Sequence, residues 1–281
     1  MATRSSVWLA RLKTKGRTMN TLTLTAATVL VVAAAVRSTW SPCGVSMLAS
    51  ITPLAERGRG HRFRSTALWF VSGAVIGGAC LGLLSALLAA VVSAIAPPET
   101  ALAAVACVAT VVAAASDARL GGFRLPVHHR QVNERWLDGL RPWAYGAGFG
   151  WQIGNGLSTY IKTATVYLAI VLAALSGAPW FALTIGVLFG LVRGCAVYLG
   201  RNVTSPEALA ALHRRLELWD PRSRAAVVAL TVGAATCFGW VLSPWAALVI
   251  AAGGLGVTVV RVRRHPAPTK TKTKAKASAP A

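Results

Sequence analysis

Long apolar runs separated by short polar stretches dominate the chain. Most of these runs are long enough to form helices that cross a bilayer. They cover residues 22–36, 40–54, 66–95, 100–116, 143–174, 180–200, 224–241 and 245–262. The first two runs together would extend about 50 Å as a helix, which is too long for one straight crossing. They therefore form one broken helix, a hairpin, or a cleaved signal followed by a short first helix.

The polar stretches divide by charge. Residues 56–65 and 118–142 are rich in arginine, whereas the connections 96–99 and 176–179 contain no basic residue. Because cytoplasmic loops of membrane proteins carry an excess of Lys and Arg, this alternation predicts a multi-pass plasma (inner) membrane protein. The C-terminal tail 263–281 would be cytoplasmic and disordered. The basic N-terminal tail 1–19 lies on the same side only if 22–36 crosses separately from 40–54, which favours a hairpin or a cleaved signal over a single broken helix.

A short surface helix is predicted between the last long polar stretch and the run at 224–241. Ser205-Pro206-Glu207 is a typical helix start, with Ser as the cap and Pro in the first turn. Apolar and basic residues then alternate at helical spacing over 204–222. This pattern favours a helix that lies along the membrane surface.

The composition excludes an ordinary soluble domain. Of the 281 residues, 55% are hydrophobic and only 13% are charged, against roughly 25% charged in a typical soluble domain. The formal net charge of +21 would suit a nucleic-acid-binding protein. Since the basic residues lie in tails and loops, the expected partners are instead the lipid bilayer and its anionic headgroups, with no nucleic acid.

The chain contains a weak internal repeat. Trp40-Ser-Pro-Cys-Gly44 and Trp151-Gln-Ile-Gly-Asn155 each lie early in a half of the chain and interrupt an apolar run. Broken helices at corresponding positions of two inverted halves are typical of transporters that bind at the membrane midplane. We therefore predict an all-α fold of six core transmembrane helices in two inverted three-helix repeats plus an N-terminal apolar segment. The predicted units are a basic tail at 1–19, an apolar segment at 20–37, a first repeat at 38–117, a basic cytoplasmic loop at 118–142, a second repeat at 143–262 that includes the surface helix, and the tail at 263–281.

Glycines recur at helical spacing within three of the predicted spans. Such stripes of small residues allow helix backbones to approach closely in a membrane. The glycines are Gly73, Gly77, Gly78 and Gly82 in the run 66–95, Gly146, Gly150 and Gly154 in the run 143–174, and Gly186, Gly190 and Gly194 in the run 180–200.

Two basic residues lie inside predicted spans. Lys162 falls in the middle of the run 143–174, and Arg193 falls late in the run 180–200. A charge at membrane depth is costly without a partner, and no acidic residue is predicted at comparable depth. The two cations therefore suggest an anionic ligand, or carbonyls released at the helix breaks. The predicted substrate-binding residues are Trp40, Pro42, Gln152, Asn155, Tyr160, Lys162 and Arg193.

The five cysteines all fall within apolar runs, which argues against a secreted disulfide framework. Cys43 has unusual neighbours in Trp-Ser-Pro-Cys-Gly and is the candidate catalytic thiol. The pair His128-His129 is expected to be solvated in its loop. No spacing in the chain is typical of a metal or phosphate site, so we expect no cofactor.

Ser41-Pro42-Cys43 early in a broken helix, a basic loop, two further helices and a glycine-rich second half resemble the DsbD/CcdA transmembrane family. That resemblance implies a six-helix inverted repeat that carries reducing equivalents, a thioredoxin-like partner and a role in cytochrome c biogenesis. The family uses a second cysteine, which would fall near Gly154 or Asn155, and this chain has none there.

Three functions follow from these observations. The first is a carrier for a small, possibly anionic, solute on this scaffold. The second is a thiol–disulfide electron relay that uses Cys43 with a non-standard partner. The third is a non-catalytic membrane assembly protein.

Overall fold

The computed structural model describes the backbone of residues 4–126 and 139–264 and the side chains of residues 19–126 and 139–254. Within these ranges the chain forms helices and no strand, which confirms the all-α prediction. His128, His129 and the tail from residue 265 lie outside the described residues. The helices are α1 Arg4–Ser38, α2 Pro42–Ser50, α3 Pro53–Gly58, α4 Phe63–Ile95, α5 Glu99–Ala118, α6 Pro142–Asn155, α7 Thr165–Leu175, α8 Pro179–Cys195, α9 Pro206–Leu242 and α10 Pro244–Arg264, with single 3₁₀ turns at Leu120–Gly122 and Ala196–Gly200.

Five of the described helices are long and apolar enough to cross a membrane. Two shorter apolar helices, Thr165–Leu175 and Pro244–Gly254, accompany them. The fold is therefore compatible with an integral membrane protein, because a helix satisfies its own backbone hydrogen bonds in lipid. The five candidate spans are Met19–Ser38, Phe63–Ile95, Glu99–Ala118, Pro179–Gly200 and Pro206–Leu242.

The outer surface of the bundle is apolar in the way a lipid-facing surface requires. On α4 a row of leucines, isoleucines and valines is exposed, with Ile95 70% and Leu68 61% exposed. Exposed tryptophans lie near helix ends, including Trp180 and Trp245 close to one end of the bundle and Trp69 and Trp143 close to the other. Tryptophan at both ends of a bundle is typical of the two membrane–water interfaces.

Close helix packing at glycine forms the centre of the bundle. α4 runs parallel to α6 and antiparallel to α8. A Cβ added at Gly150 would collide with the carbonyl oxygen of Phe70, and one at Gly190 would collide with that of Ala74. The prediction that the glycine stripes bring helices together is confirmed for α4, α6 and α8.

The two ends of the bundle differ in charge. The connections 96–98 and 176–178 and the turn at Ser243 lie at one end and contain no basic residue. The other end, which we call the basic end, carries Arg37, Arg62, Arg119, Arg141 and Arg201 at helix ends or in the segments next to them.

The two N-terminal apolar runs form one broken helix rather than a hairpin. α1 ends at the basic end, where Arg37 contacts α9. α2 has nine residues, about 13 Å of helix, so it is too short to cross a membrane. Leu54, on the helix after it, donates its backbone N–H to Val203 at the same end. The run 40–54 therefore does not cross the bundle separately, and the backbone of α1 extends from the basic end toward the opposite end.

A buried carboxylate joins α3, α4 and α6 at the basic end. Glu56 is fully buried, and both of its oxygens accept hydrogen bonds of 2.8 Å from the hydroxyl of Tyr145. Thr66 and Arg59 also donate to Glu56, and Arg59 further donates to the carbonyl of Ser50. These contacts fix the loop 56–62 against the bundle.

The predicted surface helix and the span that follows it are one continuous helix, α9. Ser205 caps its start as predicted, accepting a hydrogen bond from the N–H of Ala208. The prediction of a separate helix ending at 222 is wrong, because the helix continues through Pro221. Continuity places Asp220 and Arg224 one turn apart on the same helix.

Candidate functional site

The run 143–174, which the sequence predicts to be interrupted at Trp151–Asn155, is broken directly after that segment in the structure. α6 ends at Asn155, and Gly156 then adopts a φ of +72°, in the left-handed region that favours glycine. Residues 156–164 are not helical, and α7 begins at Thr165. We call residues 156–164 the α6–α7 break.

Asp117, at the end of α5, holds the α6–α7 break in place. Its carboxylate accepts hydrogen bonds from the hydroxyls of Thr163 and Thr165 and, at 2.7 Å, from the backbone N–H of Ala164. The first backbone donors of a helix lack partners within the helix. Asp117 therefore supplies from another helix the cap that Ala164, the residue before α7, cannot supply itself.

A second carboxylate, Asp220 on α9, contacts three basic side chains. Its Oδ1 lies 2.8 Å from Arg37 and 3.6 Å from Lys162, and its Oδ2 lies 3.7 Å from Arg224. Arg37 is only 3% exposed and also donates to the hydroxyl of Ser223 at 2.8 Å. One carboxylate on α9 thus joins the end of α1 to the α6–α7 break.

These groups enclose a cavity of about 90 Å³ at the basic end, which we call the basic cavity. Five basic side chains and the carboxylate of Asp117 line it, together with Tyr160, Thr163 and Tyr167. Such an excess of positive charge in a partly enclosed space attracts anions. The five basic residues are Arg37, Arg119, Arg124, Lys162 and Arg224.

Two expectations about Lys162 are wrong. Lys162 does not lie in the middle of a spanning helix, because the α6–α7 break brings it back to the basic end. It also has an acidic partner, since its Nζ lies 3.6 Å from Asp220 and its side chain is 26% exposed. This partner lies within α9, far from Lys162 in the chain, and the linear order of apolar runs does not reveal it.

The other predicted binding residues divide into two groups. Tyr160 lines the basic cavity beside Lys162. Gln152 and Asn155 lie on the last turns of α6 and do not line it, and Pro42 forms the first turn of α2. Trp40 donates its indole N–H to the carbonyl of Leu216, and its ring lies 5.9 Å from the Arg37 guanidinium.

Arg193 does not line the basic cavity but lies deeper in the bundle. It is 2% exposed, and its Nη2 lies 3.5 Å from the hydroxyl of Ser41 and 3.4 Å from the hydroxyl of Thr159. Ser41 belongs to the break between α1 and α2, and Thr159 belongs to the α6–α7 break. The two interruptions that the sequence singled out therefore meet at one arginine.

None of the five cysteines forms a disulfide bond in the structure. Cys43 is buried in a cluster with Met47, Leu48 and Phe70, and no other cysteine belongs to that cluster. Cys107 is buried in the other core cluster, and the remaining three are exposed. The electron relay and the family resemblance stay predictions.

Sequence reasoning missed three residues that build the basic cavity: Arg37, Asp117 and Asp220. Each lies at an end of an apolar run or within a polar stretch, where charge is usually solvated. One sequence signal could have found the two aspartates. Both lie next to the basic stretches that the charge pattern predicts on one side of the membrane.

No family model, curated protein or solved structure matches this chain. The class of the protein therefore rests on its fold and site. It is an all-helical protein with several apolar helices compatible with integral membrane insertion, and it has a basic cavity at one end of the bundle.

Proposed function

We propose that this chain is an integral membrane protein that binds a small anionic solute in the basic cavity and moves it across the bilayer. The observation that carries the proposal is the cavity itself, in which five basic side chains surround a broken helix. Discontinuous helices are a recurrent feature of transporter binding sites, because they expose backbone groups and helix ends to a substrate.

The distribution of charge favours an anion over a cation or a neutral solute. Asp220 is shared by Arg37, Lys162 and Arg224, so one negative charge faces three positive ones. Asp117 is occupied by three donors from the α6–α7 break. An anion entering the cavity would meet positive side chains whose carboxylate partners already have other contacts.

The size of the cavity favours a small solute. A volume of about 90 Å³ accommodates an inorganic oxyanion or a short carboxylate within the cavity. Lys162 is the side chain best placed to reach both the cavity and the α6–α7 break, because it belongs to that break and is only 26% exposed.

The orientation proposed from the sequence places the basic end in the cytoplasm of a plasma (inner) membrane, with the C-terminal tail on the same side. The cavity would then be the cytoplasmic entry or exit of the path. A DsbD/CcdA-like scaffold of two inverted repeats remains part of this proposal, and it would place the second access point at the opposite end.

A flux measurement with purified full-length protein in lipid vesicles tests the proposal. The probes are radiolabelled sulfate, phosphate, acetate and chloride, each applied with an inward gradient. We expect at least one probe to enter protein-containing vesicles faster than empty vesicles. Lys162→Met should abolish that excess flux, because it removes a cavity charge at little cost in folding.

The matched control is Arg201→Met, which removes an exposed positive charge from the basic end outside the cavity. This variant should retain the flux of the unmodified protein. Equal flux for Lys162→Met and Arg201→Met would remove the basic cavity from the path. Absence of excess flux for all four probes would favour the assembly protein.

A further inference from the structure

Arg193 is a buried cation held by two neutral groups. Its guanidinium is 2% exposed, and its hydrogen-bond contacts are with the hydroxyls of Ser41 and Thr159, at 3.5 and 3.4 Å. Both hydroxyl-bearing residues are fully buried. The contacts are at the long limit of hydrogen bonding, so they stabilise the charge only weakly.

No carboxylate among the described residues forms an ion pair with Arg193. Its Nε is buried and has no hydrogen-bond partner. A buried charge is strongly disfavoured unless an opposite charge and hydrogen bonds compensate it, and arginine does not escape by losing its proton. Among the described residues, the surroundings of Arg193 therefore contain no carboxylate that balances its charge, and the side chain of Cys43 lies within electrostatic range of the guanidinium.

The amino end of α2 adds positive potential next to the guanidinium of Arg193. Ser41 is the N-cap of α2, and its hydroxyl accepts the N–H of Gly44 at 3.2 Å. The amino end of a helix carries partial positive charge and is a common anion-binding position. The guanidinium of Arg193 contacts this cap directly, so the helix end and the buried cation reinforce each other.

One side of this position is apolar. The ring of Phe189 lies 5.7 Å from the guanidinium carbon of Arg193, and Gly156 packs closely against the same ring. Together with the burial of Ser41 and Thr159, this wall favours a single-atom ion over a solute with several heavy atoms.

We propose that Arg193, Ser41 and Thr159 form a buried site for a small monovalent inorganic anion of chloride size. The guanidinium supplies the positive charge, and the two hydroxyls donate hydrogen bonds to the anion. The amino end of α2 adds the partial positive charge of its helix dipole. The anion joins the break between α1 and α2 to the α6–α7 break. The site is separate from the basic cavity and would exist whether or not the protein moves a solute.

The test measures thermal unfolding of the purified full-length chain at constant ionic strength, with sodium chloride replacing sodium gluconate stepwise. We expect the unfolding midpoint to rise with chloride and to saturate. The rise should be absent in Arg193→Met and unchanged in Arg201→Met, which removes an exposed charge. An unmodified protein with equal midpoints in the two salts would overturn the proposal.

A second substitution keeps the test decisive if Arg193→Met does not fold. Thr159→Val preserves shape and removes one hydroxyl, so it should weaken apparent chloride affinity about fivefold, the value of one neutral hydrogen bond. Unchanged affinity in Thr159→Val would count against the site.

Two further variants locate the response. Loss of the chloride effect in Lys162→Met but not in Arg193→Met would assign chloride to the basic cavity and overturn the proposal. A chloride response that appears only after Cys43→Ser would show that the side chain of Cys43 takes the position assigned to the anion, and this too would overturn it. A failed flux assay with an intact chloride response would remove only the transport proposal.

Discussion

Asp220 accepts a 2.8 Å hydrogen bond from Arg37, although 183 residues separate them in the chain. Arg37 lies in the last turn of α1 and Asp220 lies in the middle of α9, so the bond joins these two helices at the basic end of the bundle. Lys162 reaches the same carboxylate oxygen at 3.6 Å. This one carboxylate therefore connects three segments that surround the basic cavity.

Asp220→Asn should destabilise the protein by about 2 kcal/mol, because a nearly buried arginine loses its charged partner. The free energy of unfolding, followed by tryptophan fluorescence during denaturant titration in mixed micelles, measures the effect. Glu217→Gln, on the exposed face of α9, is the matched control and should change it by less than about 0.5 kcal/mol. Equal effects of the two substitutions would show that the Arg37–Asp220 bond is not stabilising.

A double-mutant cycle separates the contributions of the two cations. Lys162→Met alone should cost less than about 1 kcal/mol, because its ion pair is long and partly exposed. Arg37→Met should cost clearly more in the native background than in Asp220→Asn, with a coupling energy of about 1–2 kcal/mol. A coupling near zero would contradict the geometry.

Asp117→Ala should loosen the α6–α7 break. It removes the cap of α7 and two hydroxyl contacts, and we expect a loss of about 2 kcal/mol in the free energy of unfolding. Thr165→Val removes one of these contacts and should cost about 1 kcal/mol. If Asp117 positions Lys162, flux in Asp117→Ala should show a raised KM for the transported anion. An unchanged KM with lower stability would leave Asp117 with a purely structural role.

Glu56→Gln should destabilise the basic end by about 2 kcal/mol, because the buried carboxylate accepts from Tyr145, Thr66 and Arg59 and the amide replaces one acceptor with a donor. Tyr145→Phe removes only one donor and should cost about 1 kcal/mol. The same unfolding titration compares them, with Glu207→Gln at an exposed position as the control. A larger effect of Tyr145→Phe than of Glu56→Gln would reverse the proposed order.

Gly150→Ala and Gly233→Ala should have opposite signs. A Cβ at Gly150 would collide with the Phe70 carbonyl oxygen, so α4 and α6 would have to separate. Nothing lies within 4 Å of a Cβ at Gly233, where alanine should stabilise the helix by about 0.5–1 kcal/mol. Thermal unfolding midpoints measure both. Stabilisation by both substitutions would show that α4 and α6 leave room for a methyl group at Gly150.

The sequence predicted the helical class and most helix ends because apolar length and turn residues act locally. Capping explains why α9 begins after Ser205. The missing N–H of proline explains why α4 ends before Pro97-Pro98 and α5 begins after them. The glycine stripes also gave the correct helix contacts, since close approach of two backbones requires residues without a side chain.

The extent of the α6–α7 break and the partner of Lys162 could not be predicted in the same way. The sequence indicated an interruption at Trp151–Asn155, and only the contacts of Asp117 with Thr163, Ala164 and Thr165 show that the non-helical segment continues to residue 164. Those contacts join residues 46 to 48 positions apart on different helices. Hydropathy records none of them, because it averages each segment without its neighbours.

The amino-acid sequence by itself determined that this is an apolar, all-helical chain with most basic residues outside its long apolar runs, and it identified Arg193 and the two helix interruptions as unusual. Only the tertiary structure decided that both interruptions meet at Arg193, and that Arg37, Lys162 and Arg224 share Asp220. The physical reason is that the cost of a buried charge is set by the groups that packing brings within a few ångströms, and packing joins residues that are far apart in the sequence.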